Sequence, residues 1–275
     1  MRKLKNSIRP YYNIIKIIWR SLKWFNSINW HKTIYFNFRM LPIHEAKNLP
    51  IIFYGKINIV SLTGKLILDT PLKFGIVKFG ENLEMLRRNF KKAEIRIDGT
   101  FCIKGSFSTG NDYLICVLKN SYLEIGEGSY LGNFTKIIAT NYIKIGKGFR
   151  FGFDSQISDS NYHYTVDLES KKVARFNGKI IIGDYCWVGN RSSIMKGTTT
   201  PCNLIIASYS ILNKDYTITV PENSLIAGQP AKLIRKNMIR VFDPHLEIEL
   251  SKYFRENPKE EYYFLKKGDN YIPNT

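Results

Sequence analysis

Aliphatic residues recur at every sixth position between Ile182 and Leu212, and this spacing limits what the chain can fold into. The positions in this series are Ile182, Val188, Ile194, Thr200, Ile206 and Leu212. An α-helix repeats its buried face about every 3.6 residues and a β-strand every 2 residues, so neither has this period. A six-residue period is typical of a parallel β-helix, in which each face of the coil receives one inward side chain per hexapeptide. The predicted fold class is therefore an all-β solenoid.

The same spacing recurs in weaker form upstream. The matching sets are Phe101 and Phe107; Ile125, Leu131 and Ile137; and Ile145, Phe151 and Ile157. Gly126 and Gly146 are predicted to occupy equivalent corners of successive coils, where glycine allows a close backbone approach or a positive φ. These corners are 20 residues apart rather than 18, so the coil must bulge at one of them.

The six-residue spacing stops at Ile157 and resumes at Ile182. The polar residues between them are predicted to leave the coil as a loop over 158–180. Long loops on regular solenoids are commonly functional. The predicted division is an N-terminal helical and extended arm (1–50), a coil domain (51–236), and a C-terminal helix with a polar tail (237–275). Residues 81–92 are predicted to form a brief helical excursion.

Composition narrows the class of protein. The net charge of +18 favours a polyanionic partner, or it reflects a composition rich in Lys throughout, and these alternatives stay open. We expect the positive charge to be spread along the chain. Because the sequence has no signature of a nucleic-acid-binding module, we expect no nucleic-acid partner. The four cysteines are far apart and form no CxxC pair, which argues against a zinc site and a disulfide framework.

Residues 11–25 are apolar and aromatic, but Lys16, Arg20 and Lys23 interrupt them. The uninterrupted apolar run is shorter than the ~20 residues that span a bilayer, so we expect no transmembrane segment. A helix here would place its apolar residues on one face, namely Ile14, Ile17, Ile18, Leu22 and Phe25. Residues 1–30 could thus lie on an anionic membrane, or pack on their own protein or a sister subunit. The expected location is cytoplasmic, with a peripheral position at the inner face of the membrane as an alternative.

Three segments carry a resemblance to a known family. They read IGDYCWVG at 182–189, SILNKD at 210–215 and AGQPAKLIR at 227–235. They resemble the hexapeptide-repeat acyltransferases, in particular the galactoside and maltose O-acetyltransferase branch and the O-acetyltransferases of bacterial capsular and surface polysaccharides. The resemblance is dense over 145–236. It implies a left-handed parallel β-helix, a homotrimer with active sites between subunits, acetyl-CoA as co-substrate, a sugar or glycan acceptor, and no metal.

O-acetyl transfer needs a base that takes the proton from the acceptor hydroxyl, and imidazole is suited to this because it titrates near neutral pH. The chain has four histidines: His31, His44, His163 and His245. His163 stands in the excursion loop, where similar enzymes carry their catalytic histidine, so the resemblance implies that it is the base. Asn161 stands where the family often has an acid, which leaves Asp159 or a backbone carbonyl as the group that orients His163.

The resemblance also implies roles for the residues around the repeats. Backbone amides at Gly189 and Asn190 would stabilise the oxyanion. The expected CoA-binding residues are Trp187, Ser208, Asn213, Lys214, Lys232 and Arg235. The expected acceptor-binding residues are Asp159, Asn161 and Tyr162. Transfer is expected to be direct, so that no cysteine acts as a nucleophile, and a catalytic Cys paired with His163 is the alternative.

The sequence is also compatible with other functions. The same repeats occur in N-acyltransferases of amino sugars and in serine O-acetyltransferase-like enzymes. A non-catalytic β-helix scaffold is a further alternative. A carbonic-anhydrase-like metal site is disfavoured, because the few histidines do not have the spacing that such a site requires.

Overall fold

The computed structural model describes Lys16, Trp19 and residues 21–81, 92–266, 268, 269 and 271 of the 275-residue chain. Its strands form three sheets. Sheet I contains β1 (Ile51–Phe53), β4 (Val77–Phe79), β7 (Phe107–Thr109), β10 (Ser129–Leu131), β13 (Arg150–Phe151), β16 (Trp187–Val188), β18 (Ile205–Ile206), β20 (Ser224–Gly228) and β21 (Ala231–Lys236). Sheet II contains β2 (Ile57–Leu62), β5 (Ala93–Ile97), β8 (Leu114–Val117), β11 (Lys136–Ala139), β14 (Gln156–Ser158), β17 (Ser193–Met195) and β19 (Ile211–Leu212). Sheet III contains β3 (Lys65–Leu68), β6 (Thr100–Ile103), β9 (Tyr122–Ile125), β12 (Tyr142–Ile145) and β15 (Lys179–Ile182).

The chain visits sheets I, II and III in that order through five successive turns, from β1 to β15, which is the path of a three-sided coil. The strand pairs between successive turns are all parallel, except that β21 runs antiparallel to β20. In the later turns Trp187 pairs with Ile205, a coil of 18 residues, whereas Tyr130 pairs with Arg150 at a spacing of 20. The prediction of a mostly parallel all-β structure is confirmed.

The six-residue series points into the coil as predicted. Each of its members is at most 4% exposed: Ile182, Val188, Ile194, Thr200, Ile206 and Leu212. The upstream series is buried in the same way, and its Phe107 packs edge-on against Phe79. Aliphatic and aromatic side chains from all three sheets therefore fill the interior, which is where the apolar residues contribute most to stability.

The corner glycines differ from the prediction in one respect. Gly126 and Gly146 do occupy equivalent corners, because Ile125 and Ile145 pair directly. They are not in the positive-φ region, which is found instead two residues later, at Gly128 (φ 69°) and Gly148 (φ 66°). What requires glycine at 126 is contact, since a Cβ there would lie 2.4 Å from the carbonyl carbon of Gly146.

Helix α1 (Trp30–Met40) closes the first edge of sheet I, and α2 (Ile43–Ala46) follows it. The side chain of Asn37 satisfies both backbone hydrogen-bonding groups of Ile51 at this edge. Asn37 Nδ2 donates to the carbonyl of Ile51 at 2.7 Å, and the Ile51 amide donates to Asn37 Oδ1. The Phe53 amide donates to Thr33 Oγ1 at 3.1 Å. An edge that would otherwise recruit another strand is thereby satisfied.

Helix α3 (Pro244–Glu256) lies beside sheet I, where Glu247 lines a cleft together with Lys78 and Arg150, and it is longer than the predicted short helix. It begins at an Asp243 cap, whose side chain accepts the amide of Leu246 at 2.9 Å. The predicted excursion at 81–92 and the residues Ile14, Ile17 and Ile18 fall almost wholly outside the described residues. Among the residues that are described, no helix is long and apolar enough to cross a membrane. The division into arm, coil and tail stays a prediction.

Candidate active site

The excursion loop is a hairpin that leaves sheet II after β14 and returns to sheet III at β15. Its base is held by an antiparallel bridge between Ser160 and Asn177 and by the hydrogen bond from the Asn161 amide to the Phe176 carbonyl at 2.8 Å. His163 lies two residues beyond this bond and is exposed. Within the described part of the chain, no hydrogen bond is made by the His163 ring. The ring is thus presented to solvent at the corner between sheets II and III.

Asp159 begins the hairpin and is fully buried. Its Oδ1 accepts the Thr140 amide and hydroxyl, each at 2.8 Å. Its Oδ2 accepts the amides of Asn141 at 2.8 Å and Tyr142 at 2.9 Å. A carboxylate with four short donors is committed to the preceding corner. This corrects the expectation that Asp159 touches the acceptor or orients His163, since the structure makes it the anchor of the hairpin.

Asn161 and Tyr162, the other two predicted acceptor-binding residues, are exposed beside His163. Tyr162 is in the left-handed region (φ 62°), and its amide donates to Ser160 Oγ at 2.9 Å. Desolvation raises the pKa of Tyr162 above its ordinary value, more than the hydrogen bond with Ser158 lowers it. This tyrosine is therefore neutral at pH 7 and can donate a hydrogen bond.

Trp187 lies on the outer surface of sheet I and is 40% exposed. It pairs with Arg150 on one side and with Ile205 on the other. The guanidinium of Arg240 lies 5.9 Å from its ring centroid. The indole therefore has cationic neighbours on the sheet and on the segment that leads into α3.

The two predicted oxyanion donors follow Trp187 at the corner between sheets I and II. The Gly189 amide donates to the carbonyl of Ile206 at 2.7 Å, so it belongs to the parallel ladder. This corrects the prediction for Gly189, because that amide is not available to a ligand. The Asn190 amide donates to Ser208 Oγ at 3.1 Å, a hydroxyl that can rotate away. The backbone amide of Asn190 therefore remains the candidate oxyanion donor.

Ser208, Lys232 and Arg235 continue this surface. Ser208 is exposed on the same corner one turn later than Asn190. Arg235 pairs with Leu225, which pairs with Ile205, so three strand spacings separate it from Trp187. At ~4.8 Å per strand this is ~14 Å along the coil. Neither Lys232 nor Arg235 forms a salt bridge with any described residue, which leaves both free to bind phosphate.

Asn213 and Lys214 do not join that surface. They follow β19 at the corner between sheets II and III, the corner that carries His163 two strands earlier. The ammonium of Lys214 lies 5.5 Å from the ring centroid of Tyr216. The predicted site residues thus fall into two groups. We name them the histidine edge (Asn161, Tyr162, His163, Asn213, Lys214) and the tryptophan face (Trp187, Asn190, Ser208, Lys232, Arg235).

One chain cannot bring the two groups together. A coil of 18 residues gives about six residues per side, or ~20 Å at ~3.3 Å per residue. The surface path from the Asp159 corner to the middle of sheet I covers one and a half sides, ~30 Å. The four residues from Asp159 to His163 reach at most ~14 Å. A site that contains both His163 and Trp187 therefore requires two chains.

A cleft of about 660 Å³ runs along sheet I beside Trp187, between the sheet and α3. Its charged lining residues are Lys78, Glu81, Arg150, Arg240 and Glu247. Lys78 pairs with Glu81 at 3.0 Å and Arg240 with Glu247 at 2.8 Å. Arg150 instead donates to the carbonyls of Gly128 and Phe149, and no described carboxylate pairs with it.

Sequence reasoning missed Arg150, although a signal was present. Arg150 precedes the inward Phe151 just as Trp187 precedes the inward Val188, so the two outward positions are equivalent in adjacent turns. Burial, and then repulsion from Arg240, lowers the pKa of Arg150. Glu247 attracts this guanidinium without forming an ion pair with it, so Arg150 is still a good partner for an anionic ligand.

The thiols do not have the properties of nucleophiles. All four cysteines are free, and Cys102 and Cys186 are buried. Burial raises the pKa of every one, and that of Cys186 to about 12. A thiolate paired with His163 is therefore disfavoured. In the described ranges no cluster of three or more His, Cys, Asp or Glu side chains is placed to hold a metal.

Comparisons with known proteins bear on this site. No family model matches the chain. Over 80 residues it is 39% identical to the polysialic acid O-acetyltransferase of Escherichia coli O1:K1, which covers 29% of this chain and 25% of that protein. Over 57 residues it is 32% identical to a candidate lipopolysaccharide biosynthesis O-acetyl transferase of Escherichia coli K12, covering 21% and 27%. The chain thus matches about a quarter of the length of these curated relatives.

Among solved structures, the crystal structure of the polySia-specific acetyltransferase NeuO aligns with 74% of this chain and 99% of that one. The TM-score is 0.49 and the identity 21%, and a likeness of this size does not establish a shared activity. The sequence relatives confirm the resemblance to acetyltransferases that the repeats indicated.

Proposed function

We propose that this chain is an acetyl-CoA-dependent O-acetyltransferase that acts on a hydroxyl of a glycan. Three chains assemble around a three-fold axis, each coil is left-handed, and each site lies between two chains. The observation that carries this proposal is the division of the site residues between the histidine edge and the tryptophan face. The two groups flank sheet II, so a cyclic trimer with sheet II toward the axis joins the edge of one chain to the face of the next.

The exposed residues fit an extended CoA arm. Trp187, Ser208 and Arg235 form a track on one chain, and Lys214 would approach it from the histidine edge of the neighbour. Three cations would lie along this track: Lys232 and Arg235 of the same chain and Lys214 of the neighbour. All three are exposed and form no salt bridge with the described residues. They are therefore suited to bind phosphates.

The chemistry follows from this arrangement. A ring nitrogen of His163 accepts the proton of the acceptor hydroxyl while that oxygen attacks the thioester carbonyl of acetyl-CoA. The Asn190 amide stabilises the developing oxyanion, an interaction typically worth about 3 kcal/mol. His163 returns the proton to the departing CoA thiolate, which balances the reaction without an acyl-enzyme. Asp159 acts as a positioning residue, because it fixes the start of the hairpin that presents His163.

The cleft along sheet I is the proposed acceptor site, and an acidic glycan is the proposed acceptor class. The cleft adjoins Trp187 on the side away from Arg235, so an acceptor there and CoA would meet at Trp187. Arg150 offers an unpaired guanidinium to a sugar carboxylate. The name of one relative, a polysialic acid O-acetyltransferase, is in keeping with an acidic acceptor. A cytoplasmic location, where acetyl-CoA is made, belongs to this proposal.

The test is acetyl transfer from acetyl-CoA to a panel of glycans, scored for ester against amide product. The proposal predicts ester formation that is lost in His163→Ala, with CoA binding retained. Amide products would favour the N-acyltransferase alternative. A wild-type protein that binds no CoA would favour the scaffold.

A further inference from the structure

We propose that the surface around α1 is a membrane-binding surface that holds the protein on an anionic lipid bilayer. The sequence of this end is unusually basic. Residues 1–44 contain nine Lys and Arg and no Asp or Glu, so half of the net charge of +18 lies in this segment. This corrects the expectation that the charge is spread along the chain.

Helix α1 has two apolar faces, and the coil uses only one of them. Thr33, Phe36 and Asn37 are buried against the first coil, where Phe36 packs on Phe53 at 5.0 Å between ring centroids. On the opposite face Ile34 and Phe38, one turn apart, are each nearly half exposed. A surface helix ordinarily places polar residues there.

The exposed face of α1 continues into a group of aromatic rings. Trp30 lies one turn before Ile34 and contacts Phe25 at 4.6 Å and Phe74 at 6.5 Å between ring centroids. Trp24 contacts Phe74 at 6.2 Å. Together Trp24, Phe25, Trp30, Ile34, Phe38 and Phe74 form what we call the aromatic cap. Contiguous exposed apolar surface of this kind indicates an interaction site.

Cations alternate with these rings. Lys23 and Arg39 are exposed beside the cap, and Lys73 precedes Phe74. Exposed Trp and Phe side chains with Lys and Arg, and with no acid in the segment, are the combination that binds the headgroup region of an anionic bilayer. A nucleic acid would use the cations but would leave Ile34 and Phe38 in water, so the charge and the apolar surface together favour lipid.

The position of the cap gives this surface a role, and here the inference rests on the proposed function. In a cyclic trimer all three caps face the same side, so their weak affinities combine. Sheet II has four strand spacings between β2 and β14, from which the His163 hairpin departs. At ~4.8 Å per spacing, the reacting hydroxyl would be ~19 Å above the first coil. Such a site is suited to glycans that are themselves attached to the membrane.

The experiment is co-sedimentation of the full chain with two kinds of vesicle. One kind is phosphatidylcholine alone, and the other is a 3:7 mixture of phosphatidylglycerol and phosphatidylcholine. This readout needs no enzymatic activity. We expect binding to the anionic vesicles only. The double variant Trp24→Ser/Phe38→Ser should bind at least about tenfold more weakly. The matched control Tyr262→Ser/Phe264→Ser removes two aromatic rings that are also exposed, at the other end of the chain, and should bind like the wild type.

Three results would overturn the inference. The wild type could fail to sediment with anionic vesicles, or the two double variants could bind them equally. Light scattering could instead show that the caps join trimers to each other and that Trp24→Ser/Phe38→Ser separates them. Acetyl transfer to a soluble acceptor should be unchanged in Trp24→Ser/Phe38→Ser, so loss of vesicle binding with retained transfer separates this inference from the proposed function.

Discussion

The buried carboxylate of Asp159 should make a large contribution to stability, and Asp159→Asn isolates it. The substitution keeps the size of the side chain and replaces one of its two acceptor oxygens by an NH2 group. The better of the two amide orientations places NH2 toward Thr140, whose hydroxyl can turn to accept from it. The Thr140 amide then has no acceptor, while the amides of Asn141 and Tyr142 keep theirs.

The magnitude follows from this count. A buried donor without a partner costs about 1–3 kcal/mol, and hydrogen bonds to a charged group are worth about 1 kcal/mol more than neutral ones. One lost partner and two weakened bonds give about 3–5 kcal/mol, from which the relieved cost of burying a charge must be subtracted. We therefore expect a loss of about 3 kcal/mol, a large share of the ~5–15 kcal/mol of a typical protein.

The assay is urea unfolding at one fixed protein concentration, since assembly adds to apparent stability. Asp167→Asn is the matched control. Asp167 lies at the exposed tip of the same hairpin, where one oxygen accepts both the Glu169 and Ser170 amides at 3.0 and 2.8 Å, and asparagine can supply that oxygen. We expect the control to lower the urea midpoint far less than Asp159→Asn does. Equal costs for the two variants, or an Asp159→Asn protein as stable as the wild type, would refute the reasoning.

Four further outcomes are expected. His163→Ala should lower kcat by about 10²–10⁴-fold with the KM for acetyl-CoA unchanged, measured by thiol release; a wild-type rate would contradict the role of the base. Gly146→Ala places a Cβ 2.7 Å from the Asp184 amide nitrogen and should unfold at clearly lower urea than Gly128→Ala, which meets no atom within 4 Å and pays only for its φ. Arg150→Gln should raise the KM for an acidic glycan at least about tenfold but not for a neutral one, and equal effects would remove the charge argument. Asp98, whose pKa the hydroxyls of Ser61 and Thr63 lower to about 2, should add stability above pH ~4 that is lost as the pH falls toward 2, and Asp98→Asn should remove that part of the acid sensitivity.

The repeats made the architecture predictable in detail. A period of six identified the inward positions, and the burial of Ile182, Val188 and Leu212 follows from it. The conformation of the corners was less accessible. Whether a corner glycine serves a positive φ or a close approach depends on the neighbouring turn, which is 20 residues away in sequence at Gly126.

The sequence suggested individual site residues but not how the coil arranges them. The motifs suggested His163 and Trp187, and the resemblance implied a site between subunits, but the six-residue spacing alone did not show that these two residues lie on opposite sides of the coil. Side-chain roles that depend on partners were also missed. The sequence suggested that Asp159 is a site carboxylate, and only the structure shows the four donors that occupy it. Arg150 lines a cleft that residues of the C-terminal tail complete, and the sequence alone does not indicate that arrangement.

The most direct test of the two-chain site is complementation in mixed assemblies. His163→Ala removes the base from the histidine edge, and Ser208→Trp blocks the tryptophan face, so each variant alone should be inactive. In assemblies formed from equal amounts of both, about one seam in four pairs an intact edge with an intact face. The account predicts that about a quarter of wild-type activity returns on mixing. If the mixed assemblies form and remain as inactive as the separate variants, both halves of the site must come from one chain, and the account is contradicted.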